Sequence, residues 1–175
     1  MAILTVRKYG DPLLRRRATP VESVTPELRA IIDDMVETMY DEVGIGLAAP
    51  QVGIPLRLMV VGADGGRGAQ ALINPVIVDR GGSVTAEEGC LSLPGIFAPV
   101  TRAEWVTLEA QDVDGGPVSL KARGLRARVF QHEMDHLDGV LFIDHLDPMA
   151  RDRIKRRIRK EGFAEDASGH RAVAL

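Results

Sequence analysis

The sequence predicts a single α+β domain, on three observations. Apolar residues recur at helical spacing near the start of the chain, after residue 124 and near the end. The middle instead carries short apolar runs and period-two alternation between glycine-rich turns. Strands gathered between helices fit α+β better than a repeating βαβ unit. The chain has 175 residues, one domain's worth at roughly 100–200 residues each. No repeat or Ser- or Pro-rich linker divides it, so 1–161 is taken as the domain and 162–175 as a flexible tail.

The elements follow in order. Ala2–Arg7 reads as a short strand, and Asp11 to Pro20, with two prolines and Arg15-Arg16-Arg17, as loop. Thr25-Pro26 is an N-cap followed by proline at the first helical position. Leu28, Ile31, Ile32, Met35, Val36 and Met39 then share one helical face, so a helix should run to about Tyr40 and stop near Gly44. Leu56–Val61 and Leu72–Val78 are strands ended by Gly62–Gly68 and Gly81-Gly82. Val106, Leu108 and Ala110 alternate with Thr107, Glu109 and Gln111, and Asp114-Gly115-Gly116 turns that strand into Val118–Lys121. Leu125, Val129, His132 and His136 return to helical spacing, with Gly139 as the C-terminal cap. A last helix follows Asp147-Pro148 and fades after Glu161-Gly162.

Composition narrows the function. Net charge is -3, from 22 basic and 25 acidic residues, which is not the footprint of a dedicated nucleic-acid binder. Hydrophobic residues at 45% and charged residues at 27% are ordinary globular usage, which excludes collagen, coiled coil and wholesale disorder. Cys90 is the one cysteine, so no intrachain disulfide forms, and a lone thiol fits a reducing compartment. No basic region followed by a long apolar run opens the chain. The most apolar stretch, Gly44 to Ala63, is interrupted by Pro50, Gln51, Pro55 and Arg57, short of the ~20 residues a membrane helix needs. The expectation is a soluble cytoplasmic protein with no membrane contact.

Three segments carry chemistry. In His132-Glu133-Met134-Asp135-His136 the two histidines stand at i and i+4, on one face of a helix, where both imidazoles can reach one metal ion. Glu133 beside them can take a proton from a water activated there. The plain alternative is a solvated face of an ordinary helix. A catalytic site of zinc type needs a third ligand. The long protease pattern would put a histidine three residues past Gly139, but Phe142 stands there. Asp144, His145, Asp152, Glu161 and Cys90 remain as candidates. A lone cysteine is most often a small buried hydrophobe, but Glu87-Glu88-Gly89-Cys90-Leu91-Ser92-Leu93-Pro94-Gly95 reads as a turn, not a core strand. The third segment, Gly44-Ile45-Gly46-Leu47-Ala48-Ala49-Pro50-Gln51, matches G-x-G-x-x-A. Its context is wrong for a dinucleotide fingerprint, because a helix precedes it and Pro50 follows. It reads instead as a backbone that passes close to a ligand, with the Gln51 amide at its edge.

Together, Gly44–Gln51, Glu88–Ser92 and Gln131–Gly139 resemble the three signature motifs of the peptide deformylases, in that family's order and at its spacings. The opening, with Tyr9, Asp11-Pro12 and Leu14-Arg15, extends the resemblance over most of the chain. Deformylases remove the formyl group from the N-terminal formylmethionine of new bacterial and organellar proteins. The resemblance implies Cys90, His132 and His136 as metal ligands and Glu133 as general acid/base. It implies Gln51 and the backbone N–H of Leu91 as donors to the formyl oxygen. It also implies one divalent ion, Fe2+ in the cell with Zn2+, Ni2+ or Co2+ as possible occupants, and a fold in which the HExxH helix is buried between antiparallel or mixed sheets.

A methionine side chain needs an apolar pocket. Ile45 and Gly46 lie in the glycine loop that the resemblance places there, and Val129 and Leu125 precede His132 on its helical face. Core packing explains those last two equally well. Phe97 stands where many bacterial relatives vary, some with a basic residue, which bears on contacts beyond the methionine. Between 151 and 160 seven basic residues oppose one acid, Asp152. This is a solvated helix, or a contact to RNA-rich surfaces, since the family's C-terminal helix is associated with ribosome docking. The expected partners are formylmethionyl nascent chains and the ribosome, and the protein is taken as a monomer. The main rival is an HExxH metalloprotease cleaving internal peptide bonds, in which Cys90 is dispensable. Two further rivals are a nucleotide- or RNA-binding module without metal and an inactive deformylase-like paralogue.

Overall fold

The computed structural model describes residues 2–63, 68–163 and 175. Helix α1 (Pro26–Asp41) begins as the sequence predicts: Thr25 Oγ1 accepts the Leu28 N–H at 3.1 Å and Pro26 takes the first position. Its buried face is Leu28, Ile32, Met35, Thr38 and Met39. Strands β1 (Gly46–Ala48), β2 (Leu58–Gly62) and β3 (Ala69–Gly81) follow, then β4 (Val84–Cys90), β5 (Leu93–Arg102), β6 (Trp105–Gln111) and β7 (Pro117–Arg123). Helices α2 (Gly124–Leu137) and α3 (Pro148–Glu161) complete the described elements. All strand pairs are antiparallel, in a five-stranded sheet ordered β1-β2-β3-β6-β7 and a two-stranded β4–β5 ribbon.

Helix α2 packs on β1, β2, β6 and β7 of the larger sheet. On its other side its polar side chains bond to β4 and β5. It therefore lies between the two sheets, as expected. A helix buried this way must give its polar groups partners. Gln131 supplies an example, accepting the Ala103 N–H at 2.9 Å and donating to the Ala103 carbonyl at 3.0 Å. Val140 N–H closes on Asp135 O at 2.9 Å, and Gly139, at φ 75°, takes the left-handed turn just past the helix end.

Among the described residues, apolar side chains gather into three clusters. The first joins α2 (Ala127, Val129, Phe130, Leu137) to Met59, Leu72, Val106 and Leu108 of the large sheet. The second joins α1 to the opposite face of that sheet through Leu47, Leu58, Val60 and Ile73. The third packs the ribbon, through Leu93, Ile96 and Val100, on Leu141, Phe142 and Ile143.

Three sequence expectations change. Ala2–Arg7 is not a strand: the Ala2 and Leu4 amides go to the side chains of Asp34 and Thr38 on α1, so no ladder forms. Asp11 to Pro20 is not all loop, because Pro12–Arg15 forms a 3-10 turn whose Leu13 N–H is accepted by Asp11 Oδ1 at 2.9 Å. Glu87–Cys90 is not a turn but the end of β4, and the turn is only Leu91-Ser92. The tail expected over 162–175 falls largely outside the described residues. Of it, Phe163 packs on the third cluster, and Leu175 is buried in the first with its N–H 3.1 Å from Gly89 O.

Candidate metal centre

One helix and one strand end converge on the site. His132 and His136 project from one face of α2, with Nε2 atoms 3.3 Å apart. Cys90 ends β4, where the pairing with β5 shifts register between Gly89 and Cys90. Phe97 crosses over Gly89 so closely that a Cβ there would collide with its ring. Cys90 Sγ then lies 3.4 Å from His136 Nε2. One sulfur and two ring nitrogens within 4.8 Å of one another, all buried, form a ligand set for a single ion. Of the candidates for a third ligand, the structure brings in Cys90. Asp144 pairs with Arg15 at 2.5 Å, His145 lies 2.7 Å from Asp135, and Asp152 and Glu161 lie on α3, the latter paired with Arg157.

The donor chemistry fits a transition-metal dication. Thiolate and imidazole suit zinc or ferrous iron and disfavour magnesium or calcium. Burial, with the Glu133 and Glu88 carboxyls adding to it, pushes the Cys90 thiol up to about 12, so a thiolate there requires a nearby cation. Burial also lowers the His132 and His136 values, which keeps both rings neutral with lone pairs to give. Glu88 fixes the tautomer of His132. Burial would raise its carboxyl, but hydrogen bonds from Arg102 and His132 outweigh that and hold it well below the carboxylate range. An ionised Glu88 only accepts, so His132 Nδ1 donates to Oε1 at 3.0 Å and Nε2 is left for a metal.

Glu133 is fully buried, and among the described residues neither of its oxygens has a hydrogen-bond partner. The nearby Ala48 N–H is spent on Gln51 Oε1 at 2.9 Å. Burial pushes the Glu133 carboxyl up to about 8. An unpartnered buried carboxyl with a raised pKa beside a ligand set makes Glu133 a candidate for proton transfer. Gln51, in the 3-10 turn Ala49–Val52, points Nε2 at Ser92 Oγ (3.2 Å) and Cys90 Sγ (3.8 Å). Leu91 follows Cys90 in the two-residue turn. Gln51, Leu91 and the three ligand residues are thus brought together.

The residues expected for an apolar pocket divide. Val129 is buried and Ile45 packs against the same cluster. Gly46 is tight: a Cβ would fall 2.8 Å from Val129 Cγ1 and 3.0 Å from Glu133 Oε1. Gly46 thus lies close against α2, whereas Gly44 lies against the Leu91 side chain, 2.9 Å from where its Cβ would be. Leu125 sits in the first turn of α2 with 54% of its surface exposed, so the face shared with His132 is open at that end. Sequence reasoning missed the charged lattice behind the ligands. Glu88 takes Arg102 at 2.9 Å through each oxygen and Arg128 at 2.5 Å, and Arg102 reaches Asp135 at 2.6 Å. The available signal was Arg128, a charge four residues before His132 on a face of buried residues.

The match to known proteins covers this same architecture. The family model of polypeptide deformylase matches residues 3–152. The chain belongs to the peptide deformylase family. A peptide deformylase of Alkalilimnicola ehrlichii is 49% identical over 162 residues, 91% of each chain, and one of Acidobacterium capsulatum is 50% identical over 91% of this chain and 96% of its own. Among solved structures, a peptide deformylase from Legionella pneumophila superposes with a TM-score of 0.86 at 43% identity, covering 91% of this chain and 95% of that one. One from Ehrlichia chaffeensis, in complex with actinonin, gives 0.85 at 37% identity over 92% and 99%.

Proposed function

We propose that this protein is a metal-dependent hydrolase that removes the formyl group from the N-terminal formylmethionine of newly made proteins. The observation that carries this reading is the Cys90–His132–His136 set beside an unpartnered Glu133, in a chain of the deformylase family. A divalent ion held there supplies an acidified water and an electrophile. Glu133 takes the proton of the attacking water and returns it to the departing nitrogen, which needs no ligand role from its carboxylate. Gln51 Nε2 and the Leu91 N–H donate to the oxygen on which charge develops, in a site where buried donors act strongly. Ile45, Gly46 and Val129 receive the methionine side chain, with Leu125 at the open end.

The thiolate donor and the family's habit support Fe2+ as the ion in the cell, with Zn2+, Ni2+ or Co2+ taking its place in purified protein. The exposed basic residues of α3 support a contact with ribosomal RNA. None of the described helices is long and apolar enough to cross a membrane. Action in the cytoplasm as a monomer completes the reading. The test is a formyl-Met tripeptide given to metal-loaded protein. Release of formate with the peptide bonds intact is expected. Cleavage within the peptide and no formate would favour the protease reading instead.

A further inference from the structure

We propose that Leu175 occupies the protein's own substrate cleft, so that the resting chain is partly closed and a formylmethionyl peptide binds by displacing it. The inference rests on the deformylase reading, because the cleft is the one that reading assigns to the substrate. Leu175 donates its backbone N–H to Gly89 O at 3.1 Å, one residue before the ligand Cys90. Among the described strands β4 pairs with β5 alone, which leaves its second edge as a template for an extended segment. Leu175 is 1% exposed and belongs to the cluster that contains Ala48, Val129 and Phe130, with Ile45 packed against it. Of these, Val129 and Ile45 are surfaces proposed for the methionine side chain. Leucine and methionine are close in volume and both apolar, so one can stand in for the other. A backbone bond to Gly89, the neighbour of Cys90, with an apolar side chain in the cluster of Val129 and Ile45 is what a methionyl substrate would present.

A cleft open in only a tenth to a third of molecules raises the apparent substrate Kd about three- to tenfold. The same closed fraction slows hydrogen exchange of the Leu175 amide by the same factor. The first measurement is that exchange rate in the metal-loaded full chain, compared with a free peptide of residues 170–175. Slowing by about three- to tenfold, relieved by millimolar Met-Ala-Ser and independent of protein concentration, is the expected result. Exchange at the free-peptide rate, protection that the peptide does not relieve, or protection that grows with protein concentration would overturn the proposal. The second measurement is KM for formyl-Met-Ala-Ser. Leu175→Asp should lower it about three- to tenfold, and an unchanged KM would count against displacement. Were no formate released by either chain, the deformylase reading would fall, while the exchange rate would still decide where Leu175 sits.

Discussion

Glu133 is the residue on which the proposed chemistry turns, because a buried carboxyl with no described partner is a state that structure alone does not reward. Glu133→Gln should retain the metal, since the three ligands are untouched, and should lower kcat by about 10²–10⁴-fold, the usual worth of a general acid–base group. Metal content and turnover measured on one preparation check this, and near-normal turnover would remove Glu133 from the mechanism. Gln51 does two jobs: its Oε1 accepts the Ala48 N–H while its Nε2 faces Cys90 and Ser92. Gln51→Leu should lower kcat by about 10²–10³-fold, the loss expected for one oxyanion donor. A raised KM at unchanged kcat would make it a positioning residue for the substrate instead.

The β4–β5 ribbon and α2 meet through Glu88, which neutralises Arg102 and Arg128 and orients His132. Its carboxyl is held below its ordinary value of 4.5. The stability it contributes is therefore fully present above about pH 4.5 and is lost as pH falls through its lower folded-state value. Glu88→Gln in metal-stripped protein should cost about 3–5 kcal/mol near pH 7, because two buried guanidiniums lose a counter-charge. Denaturant melts from pH 7 down to pH 2 should show the gap to the unsubstituted chain shrinking in acid. A gap that does not change with pH would contradict the ion-pair role. The same ribbon was the least legible part of the fold. β4 buries none of its first four residues and all of its last three, so it has no period-two pattern, and β5 carries Pro94, Gly95 and Pro99. Proline is tolerated there because a two-stranded ribbon is all edge. Strand β1 is three residues long and wholly buried, too short to show alternation. By contrast α1, α2, α3 and the β6–β7 hairpin each have a sustained period and a capping or turn residue, and they fall close to where the sequence put them. The histidine pair and Cys90 were legible as types and spacing. Arg102 and Asp135 were not, because their partners come from distant segments.

The whole molecule is mildly acidic, yet it carries one strongly basic helix at the far end of the chain. Arg156, Arg159 and Lys160 on α3 are exposed, and none belongs to the metal centre. Changing these three to Glu should weaken co-sedimentation with ribosomes and flatten its salt dependence by up to about three phosphate contacts, at about 0.7–0.9 in log–log slope per contact. Its kcat/KM on a free formyl peptide should stay as it is. Equal co-sedimentation by both proteins would reduce α3 to a solvated helix. The two layers around α2 bring the Cys90 thiol of the ribbon to two imidazoles of the helix. Anaerobically purified protein and its Cys90→Ser variant, each assayed for metal stoichiometry and for formate release from a formyl-Met peptide, decide whether that meeting makes the enzyme. One ion per chain with deformylation in the unsubstituted protein, and loss of both in the variant, is the expected result. Deformylation that persists in a metal-free sample, or a variant that keeps both ion and activity, would contradict it.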